Sequence, residues 1–293
     1  MTLQELYLLS PEISMALLAG VIIVLDLISK NKKLLPIVGL IGLLVPLYFS
    51  VSLSNSTPNV GFSSALSVDE FSLFFKYLII FAVAIVLLIS IEFGKQFEKI
   101  QGEYYSLILL AASGMLLLVS ATELITIYIA LELTALPTAA LAAFLRNGRS
   151  AEAGLKFLLL SAISSAILLY GMVLTYGFTG TTYLPEIVVR IQEIIGSSET
   201  ILDSGVLIFG IILITAGFGF KISAVPFQMW APDVYEGAPT PITGFLSVAS
   251  KAAGFAIILR IFYSAFDITT IALDWSALVA ILSAVSMSVG NLV

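Results

Sequence analysis

Nine long apolar runs divide this sequence, and they constrain its fold more strongly than any other feature. Each run is close to the length that a tilted helix needs to cross about 30 Å of hydrocarbon. The runs cover residues 6–28, 34–53, 70–91, 104–120, 123–145, 155–178, 205–227, 241–262 and 271–293. Because lipid offers no hydrogen-bond partners, the backbone of each run must pair within itself, as an α-helix does. The sequence therefore predicts an all-α polytopic membrane protein with about nine transmembrane helices.

The composition supports lipid as the main solvent of the chain. Of the 293 residues, 59% are hydrophobic and 11% are charged, whereas a soluble domain has roughly a quarter of its residues charged. The net charge of −6 excludes the general basic face that a nucleic-acid partner requires. We therefore expect lipid around most of the chain and no nucleic-acid partner.

The residue types that the sequence lacks restrict its chemistry. It contains neither cysteine nor histidine, which excludes thiolate-ligated iron–sulfur clusters, bis-histidine haem and imidazole proton relays. We expect no redox centre, cofactor or metal site in this chain. If the protein serves a redox reaction, the electrons must move through partner subunits.

Basic residues lie on alternate connections between the apolar runs, which predicts the orientation. They follow the first, third and fifth runs, at Lys30, Lys32, Lys33, Lys95, Lys99, Arg146 and Arg149. Because short basic loops stay on the cytoplasmic side, we predict that these loops are cytoplasmic and that the N-terminus is outside.

Two connecting segments have patterns of their own. Residues 184–195 (LPEIVVRIQEII) place apolar side chains at helical spacing, which predicts a short interfacial helix on the outer side. Residues 228–241 (QMWAPDVYEGAPTP) contain three prolines, and they predict an ordered hairpin at the membrane surface.

Three charged residues lie inside the predicted spans. Glu132 and Lys251 are close to the middle of spans five and eight, and Lys221 lies beyond the middle of span seven. Each costs roughly 2.5–3.5 kcal/mol near the bilayer centre, so a functional role is favoured. Pro137 and Pro226 each follow one of these charges by five residues, which predicts broken helices beside them. Together these features indicate a Glu/Lys proton relay.

Other charged residues lie nearer the predicted helix ends. For Lys76, Lys156, Glu92 and Arg260 we predict snorkelling to the interface, with Lys156 the strongest functional candidate of the four. Glu123, at the start of span five, fits a structural and a functional role equally well.

Two stretches carry a family resemblance. GFKISAVPFQMWAPDVYEGAPTPITGFLSVASK (residues 219–251) closely resembles the central signature of subunit N of bacterial NADH:quinone oxidoreductase, respiratory complex I. ELITIYIALELTALPTAALAAF, followed by RNGRSAEAGLKFLLLSAISSAILLYGMVL, is similar to the same subunit over residues 123–174. The PDVYEGAPTP stretch favours subunit N over the related subunits L and M and over cation/proton antiporters.

The resemblance implies a membrane-arm subunit in the bacterial plasma (inner) membrane, which moves protons while other subunits transfer electrons from NADH to quinone. It implies NADH, flavin, iron–sulfur clusters and quinone in those partners, which include neighbouring antiporter-like and small membrane subunits. By motif, Glu132, Lys221 and Lys251 match the family's glutamate of span five and its lysines of spans seven and eight. Lys156 falls where the family often has a lysine at the start of span six. In the family's mechanism, Glu132 sets the charge state of Lys221, which exchanges protons through water with Lys251.

The resemblance also implies an organisation. Family members have about fourteen spans in two inverted halves, so we expect this chain to correspond to the first part of that antiporter-like fold. Residues 1–100 would form an N-terminal three-helix segment and residues 101–267 the first proton-channel bundle, with spans four to eight. Residues 268–293 would begin a truncated second half. Gln228 departs from the family, in which close relatives often have histidine at this position.

Two alternative functions remain open at this point. A cation/proton antiporter or a membrane-bound hydrogenase subunit has the same fold. A structural membrane scaffold could hold the buried charges as static ion pairs.

Overall fold

The computed structural model of the chain describes residues 3–29, 31–54, 59–62, 64–97, 100–197 and 201–292. Within these residues, nine helical segments are long and apolar enough to cross a membrane, which confirms the predicted fold class. Lys30 and Lys99, two of the basic residues that predict the orientation, lie outside the described residues. The orientation itself stays a prediction.

The described residues form fourteen α-helices. They are α1 (Leu3–Leu8), α2 (Ser10–Ile28), α3 (Leu34–Gly42), α4 (Leu44–Ser54), α5 (Glu70–Phe93), α6 (Gln101–Ser120), α7 (Leu124–Ala142), α8 (Gly148–Thr179), α9 (Leu184–Ser197), α10 (Ile201–Ile222), α11 (Trp230–Gly237), α12 (Thr240–Phe245), α13 (Lys251–Ala265) and α14 (Thr269–Leu292). Span two combines α3 and α4, span seven combines α10 and α11, and span eight combines α12 and α13. Spans one, three, four, five, six and nine are formed by α2, α5, α6, α7, α8 and α14.

Local polar contacts define where several spans begin and end. Asp69 precedes α5 and forms a capping box with Ser72. At the start of α8, Asn147 Oδ1 accepts the backbone N–H of Ser150 at 2.8 Å. α8 ends at Gly180, whose φ of 74° lies in the left-handed region that favours glycine. These caps satisfy backbone groups that the helix ends would otherwise leave unpaired.

Span seven is interrupted, whereas span five is continuous. α10 ends at Ile222, and Ser223 then adopts a φ of 59° shortly before Pro226. Pro137, by contrast, lies inside α7, which continues to Ala142. The predicted proline-broken helix is therefore confirmed in span seven, and span five accommodates its proline without ending.

The prediction of a hairpin over residues 228–241 is wrong. Most of the segment is helical, because Trp230–Gly237 forms α11 and Thr240–Phe245 forms α12. Pro232 and Pro241 lie in the first turns of these two helices. A backbone N–H in the first turn has no partner within the helix, so proline is tolerated there.

A short β-hairpin, which no sequence pattern indicated, lies between span two and span three. Strands β1 (Asn59–Gly61) and β2 (Leu66–Val68) pair in antiparallel fashion. Leu66 also forms an isolated β-bridge with Ala121, in the tight turn between α6 and α7. The hairpin therefore anchors this turn.

The helix predicted over residues 184–195 is confirmed as α9. Its buried face consists of Leu184, Ile187 and Ile191. Arg190 and Glu193 are exposed and form an ion pair at 3.1 Å. The helix is amphipathic, as an interfacial helix must be, and its place at the outer interface stays a prediction.

Close packing of α8 on α10 depends on glycine. A Cβ atom added at Gly171 would lie 2.8 Å from the carbonyl oxygen of Gly210 and 2.8 Å from the backbone nitrogen of Ile214. Both neighbours are backbone atoms, so no side chain can move aside. Small residues let membrane helices approach in this way, and here the approach sets the position of α10, which carries Lys221.

We expect Gly171→Ala to destabilise the protein by about 1–3 kcal/mol, because the added methyl group overpacks the contact between α8 and α10. Gly177→Ala, on the same helix, is the matched control, because no atom outside the local helix backbone lies within 4 Å of a Cβ there. The control should stabilise by up to about 1 kcal/mol, the helix preference of alanine over glycine. Thermal unfolding of the detergent-solubilised variants measures both changes. Equal stability of the two variants would contradict the packing interpretation.

Candidate functional site

Glu132 lies in α7 and faces α8. The hydroxyl of Ser165 in α8 donates a hydrogen bond to Glu132 Oε1. Glu132 is only partly exposed. A hydrogen bond from a neighbouring helix fixes the carboxylate within the bundle.

Lys221 lies in the last turn of α10, and its ammonium group is buried. Nζ is inaccessible to solvent and has no hydrogen-bond partner among the described residues. Lys221 lines a cavity of about 30 Å³ together with Ser161, Ser164 and Ser165, which is room for roughly one or two water molecules. Ser165 also donates to Glu132, so this serine links the carboxylate to the wall of the cavity that Lys221 lines.

The helix is interrupted shortly after Lys221, because α10 ends at Ile222. The N–H of Ala224 donates to the carbonyl of Gly219 at 2.8 Å, across the end of α10. The indole N–H of Trp230 donates to the carbonyl of Phe220 at 2.9 Å. These two bonds pair carbonyl groups at the end of the interrupted helix, as irregular backbone at membrane depth requires.

Lys251 begins α13, directly after a π-helical turn formed by Leu246–Ser250. Its Nζ lies 5.7 Å from the centre of the Tyr235 ring. One turn later on the same helix, a Cβ atom added at Gly254 would lie 3.2 Å from Lys221 Cγ. Lys221 therefore packs against the first turn of the helix that carries Lys251. Single π-turns are frequent at functional sites, and no sequence pattern indicated this one.

Lys156 lies apart from this region. Its side chain is 41% exposed, and Nζ forms ion pairs with Asp233 at 2.6 Å and Glu152 at 2.7 Å. The structure thus brings Glu132, Lys221 and Lys251 into one connected region and leaves Lys156 at the surface of α8.

The prediction of snorkelling is wrong for Lys76 and Arg260. The Lys76 side chain is fully buried and forms an ion pair with Glu12 at 2.7 Å. Arg260 is also buried, and its two terminal nitrogens donate to Asp69 at 2.8 and 3.0 Å. Carboxylates from distant parts of the sequence bind these buried cations, so neither side chain extends to an interface.

Glu92 and Glu123 have structural surroundings. Glu92 is exposed, as predicted, and pairs with Lys95. Glu123 is the N-cap of α7, where its carboxylate accepts the backbone N–H of Thr126 at 3.0 Å and the hydroxyl of Thr182 at 2.9 Å. These contacts favour the structural role for Glu123. Among the described residues, no group of three or more acidic side chains could hold a metal ion.

The described part of the chain contains nine membrane-length helices, and ionisable groups lie beside an interrupted span. These features define a multi-pass helical membrane protein with a buried ionisable site. The sequence supplies the finer assignment. The chain belongs to the NADH:quinone oxidoreductase/Mrp antiporter transmembrane family, whose family model matches residues 121–293.

Individual relatives agree with this family. The chain is 43% identical over 283 residues to NADH-quinone oxidoreductase subunit N of Dehalococcoides mccartyi. The alignment covers 96% of this chain and 58% of that protein. A chain of respiratory complex I from Thermus thermophilus superposes with a TM-score of 0.70 at 30% identity, over 85% of this chain and 52% of that chain. A chain of the membrane-bound sulfane sulfur reductase, an archaeal respiratory membrane complex, superposes with a TM-score of 0.76 at 26% identity, over 95% of this chain and 57% of that chain. The resemblance to subunit N is confirmed, and the chain spans a little over half the length of these relatives.

Proposed function

We propose that this chain belongs to a proton-translocating membrane-arm subunit of NADH:quinone oxidoreductase, and that it contributes a Glu/Lys/water relay. The observation that carries the proposal is the ammonium group of Lys221. It is buried without a hydrogen-bond partner among the described residues, beside the break in span seven. A static structural lysine would have a paired carboxylate, as Lys76 has.

The relay consists of Glu132, Lys221 and Lys251. In the relay, Glu132 would set the charge state of Lys221, and Ser165 links its carboxylate to the wall of the Lys221 cavity. When Glu132 is neutralised, the ammonium of Lys221 loses the compensation of that carboxylate and releases its proton. Lys251, which follows the π-turn on the helix against which Lys221 packs, receives the proton through water. Small changes in water content and helix position would gate this step.

Lys156 has a separate place in the proposal. Its ion pairs with Glu152 and Asp233 hold it at the exposed end of α8. There it would supply protons from the aqueous phase or orient α11 beneath the break. Within the subunit, residues 101–267 would form this relay unit, residues 1–100 an N-terminal three-helix segment, and residues 268–293 part of the following half.

The rest of the reaction would take place in partner subunits. Electrons would pass from NADH through flavin and iron–sulfur clusters to quinone there, so this chain would serve a translocase without a redox centre of its own. Its partners would be neighbouring antiporter-like and small membrane subunits. The location would be the bacterial inner membrane, with the N-terminus outside.

The test is substitution of the relay in the assembled complex that contains the full-length subunit. We expect Lys221→Ala and Glu132→Gln each to lower NADH-driven proton translocation by at least about tenfold, because each removes a group that transfers protons or controls the transfer. Lys95→Ala is the control, because Lys95 is an exposed lysine that pairs with Glu92 at the surface. Translocation that survives both relay substitutions would reject the proposal and favour the static scaffold.

A cation/proton antiporter or membrane-bound hydrogenase subunit is the second candidate. The specific observation in its favour is the matching family model, whose description names the Mrp antiporter beside NADH:quinone oxidoreductase. Replacing NADH with an imposed sodium gradient separates the candidates. Proton movement that requires sodium and not NADH would identify the antiporter.

A further inference from the structure

Buried polar atoms without partners concentrate at the break in span seven. Besides Lys221 Nζ, they include Ser223 Oγ, Gln228 Oε1 and Tyr235 Oη, none of which has a hydrogen-bond partner among the described residues. All four lie within fifteen consecutive positions, residues 221–235. Buried polar groups in proteins pair with other groups or with ordered water. We therefore expect ordered water beside these atoms, between the break and the end of α11.

Tyr235 is the member of this set that lies beside Lys251. The ammonium of Lys251 is 5.7 Å from the centre of the Tyr235 ring, within the range of a cation–π contact. The hydroxyl at the edge of the same ring is therefore within about two hydrogen-bonded water molecules of that ammonium.

Tyr235 is held through its backbone and through its ring. The hydroxyl of Thr243 donates to the carbonyl of Tyr235 at 3.1 Å. The ring packs edge-on against Trp230 at 6.0 Å between centres. The indole of Trp230 in turn contacts Phe157 at 5.0 Å and Phe220 at 5.3 Å, and both residues line the cavity of Lys221. One rigid aromatic cluster thus extends from the Lys221 cavity to Lys251.

We propose that the hydroxyl of Tyr235 is a proton-carrying group between Lys221 and Lys251, with water bound among Ser223, Gln228 and the phenol. The ammonium of Lys221 gives a proton to water, and this water protonates the phenol oxygen as the phenol proton leaves towards the neutral amine of Lys251. One O–H bond forms as another breaks, so the phenol is regenerated and no electrons are transferred. This inference rests on the proposed proton relay, and it adds an uncharged proton carrier to the charged residues of that relay.

The experiment uses the full-length subunit in its assembled complex, in inverted membrane vesicles. It measures the initial rate of NADH-driven acidification together with NADH oxidation. Tyr235→Phe keeps the ring over Lys251 and removes only the hydroxyl, whereas Tyr235→Leu removes both. We expect both variants to lower acidification severalfold and to a similar extent. The control is Tyr263→Phe, because Tyr263 is an exposed tyrosine of α13 that packs on Trp275, and this variant should pump like the wild type.

A purely structural Tyr235 gives a different result. In that case only the aromatic ring is required, so Tyr235→Phe would pump like the wild type and only Tyr235→Leu would be impaired. This result would overturn the inference. Gln228→Met is a second, independent variant, because it removes the buried amide oxygen and keeps the side-chain length. Its acidification should also fall severalfold, and wild-type acidification in Gln228→Met would likewise count against water at the break.

Lys221→Ala separates this inference from the proposed function. If Lys221→Ala retains acidification, the relay itself is rejected. If Lys221→Ala abolishes acidification and Tyr235→Phe does not change it, the relay stands and the role of the phenol is rejected.

Discussion

Replacing Lys76 with methionine is expected to destabilise the protein by about 3–5 kcal/mol, because it leaves a carboxylate uncompensated within the bundle. Lys76 Nζ lies 2.7 Å from Glu12 Oε1, and the two side chains are 0% and 7% exposed. Apart from this ion pair, neither group has a hydrogen-bond partner among the described residues. No other contact can therefore stabilise the charge that remains. Titration of the purified protein with SDS in mixed micelles measures the free energy of unfolding.

The double variant Glu12→Gln/Lys76→Met distinguishes a lost charge pair from lost packing. It removes both charges and keeps similar side-chain volumes, so its cost should be well below the sum of the two single substitutions. Lys33→Met, an exposed lysine at the start of α3, should change stability by no more than about 0.5 kcal/mol. Additive effects of Glu12→Gln and Lys76→Met would show that the ion pair does not couple spans one and three.

The pair also shows where single-sequence reasoning fails for this fold. Lys76 lies in the second turn of α5, so its position along the helix fits snorkelling equally well. Glu12 is its partner in a different span, and the sequence does not show which spans are neighbours. Two opposite charges in apolar helices predict a pair only when the helix packing is known.

The spans themselves were predictable because the bilayer sets their length. An uninterrupted apolar run near 20 residues fits a membrane helix and little else. The β-hairpin escaped prediction because Asn59–Gly61 and Leu66–Val68 are too short to show a period-two pattern. The sequence predicts a hairpin in place of α11 because proline is frequent in turns, although Pro232 also fits the first turn of a helix.

The relay candidates were predictable from depth alone, but their contacts were not. Glu132, Lys221 and Lys251 stand out because charges in apolar spans are costly. Ser165 and Tyr235, which contact two of them, resemble any other polar residue of a span. Helices that are apolar on all sides carry no periodic signal that shows which face meets which neighbour. Helix packing sets the rotation of each span about its axis, and it therefore decides which residues of the site are in contact.

Asp69→Asn is the second substitution for which we expect a large effect, near the lower end of about 3–5 kcal/mol. Asp69 caps α5 and accepts two hydrogen bonds from the buried guanidinium of Arg260 in α13. Burial raises the pKa of the Asp69 carboxyl, but the hydrogen bonds and charge of Arg260, together with the hydrogen bonds of Ser72, outweigh it and hold the pKa below its ordinary value of 3.8. A carboxyl with a lowered folded-state pKa stabilises the fold above its unfolded pKa, and the stabilisation is lost as the pH falls through the folded value.

The pH dependence identifies the charge of Asp69 as the source of the effect. The stability difference between wild type and Asp69→Asn should be constant near neutral pH and should shrink below about pH 3.8, where the carboxyl of the unfolded chain becomes protonated. The difference should be lost as the pH falls through the lower pKa of the folded state. Asp267→Asn, at an exposed carboxylate just beyond α13, should differ from wild type by no more than about 0.5 kcal/mol at neutral pH. A difference for Asp69→Asn that persists at the lowest pH would mean that its side chain stabilises the start of α5 as a neutral cap. The link between α5 and α13 would then depend on the packing of Arg260 over the ring of Phe71, at 5.2 Å.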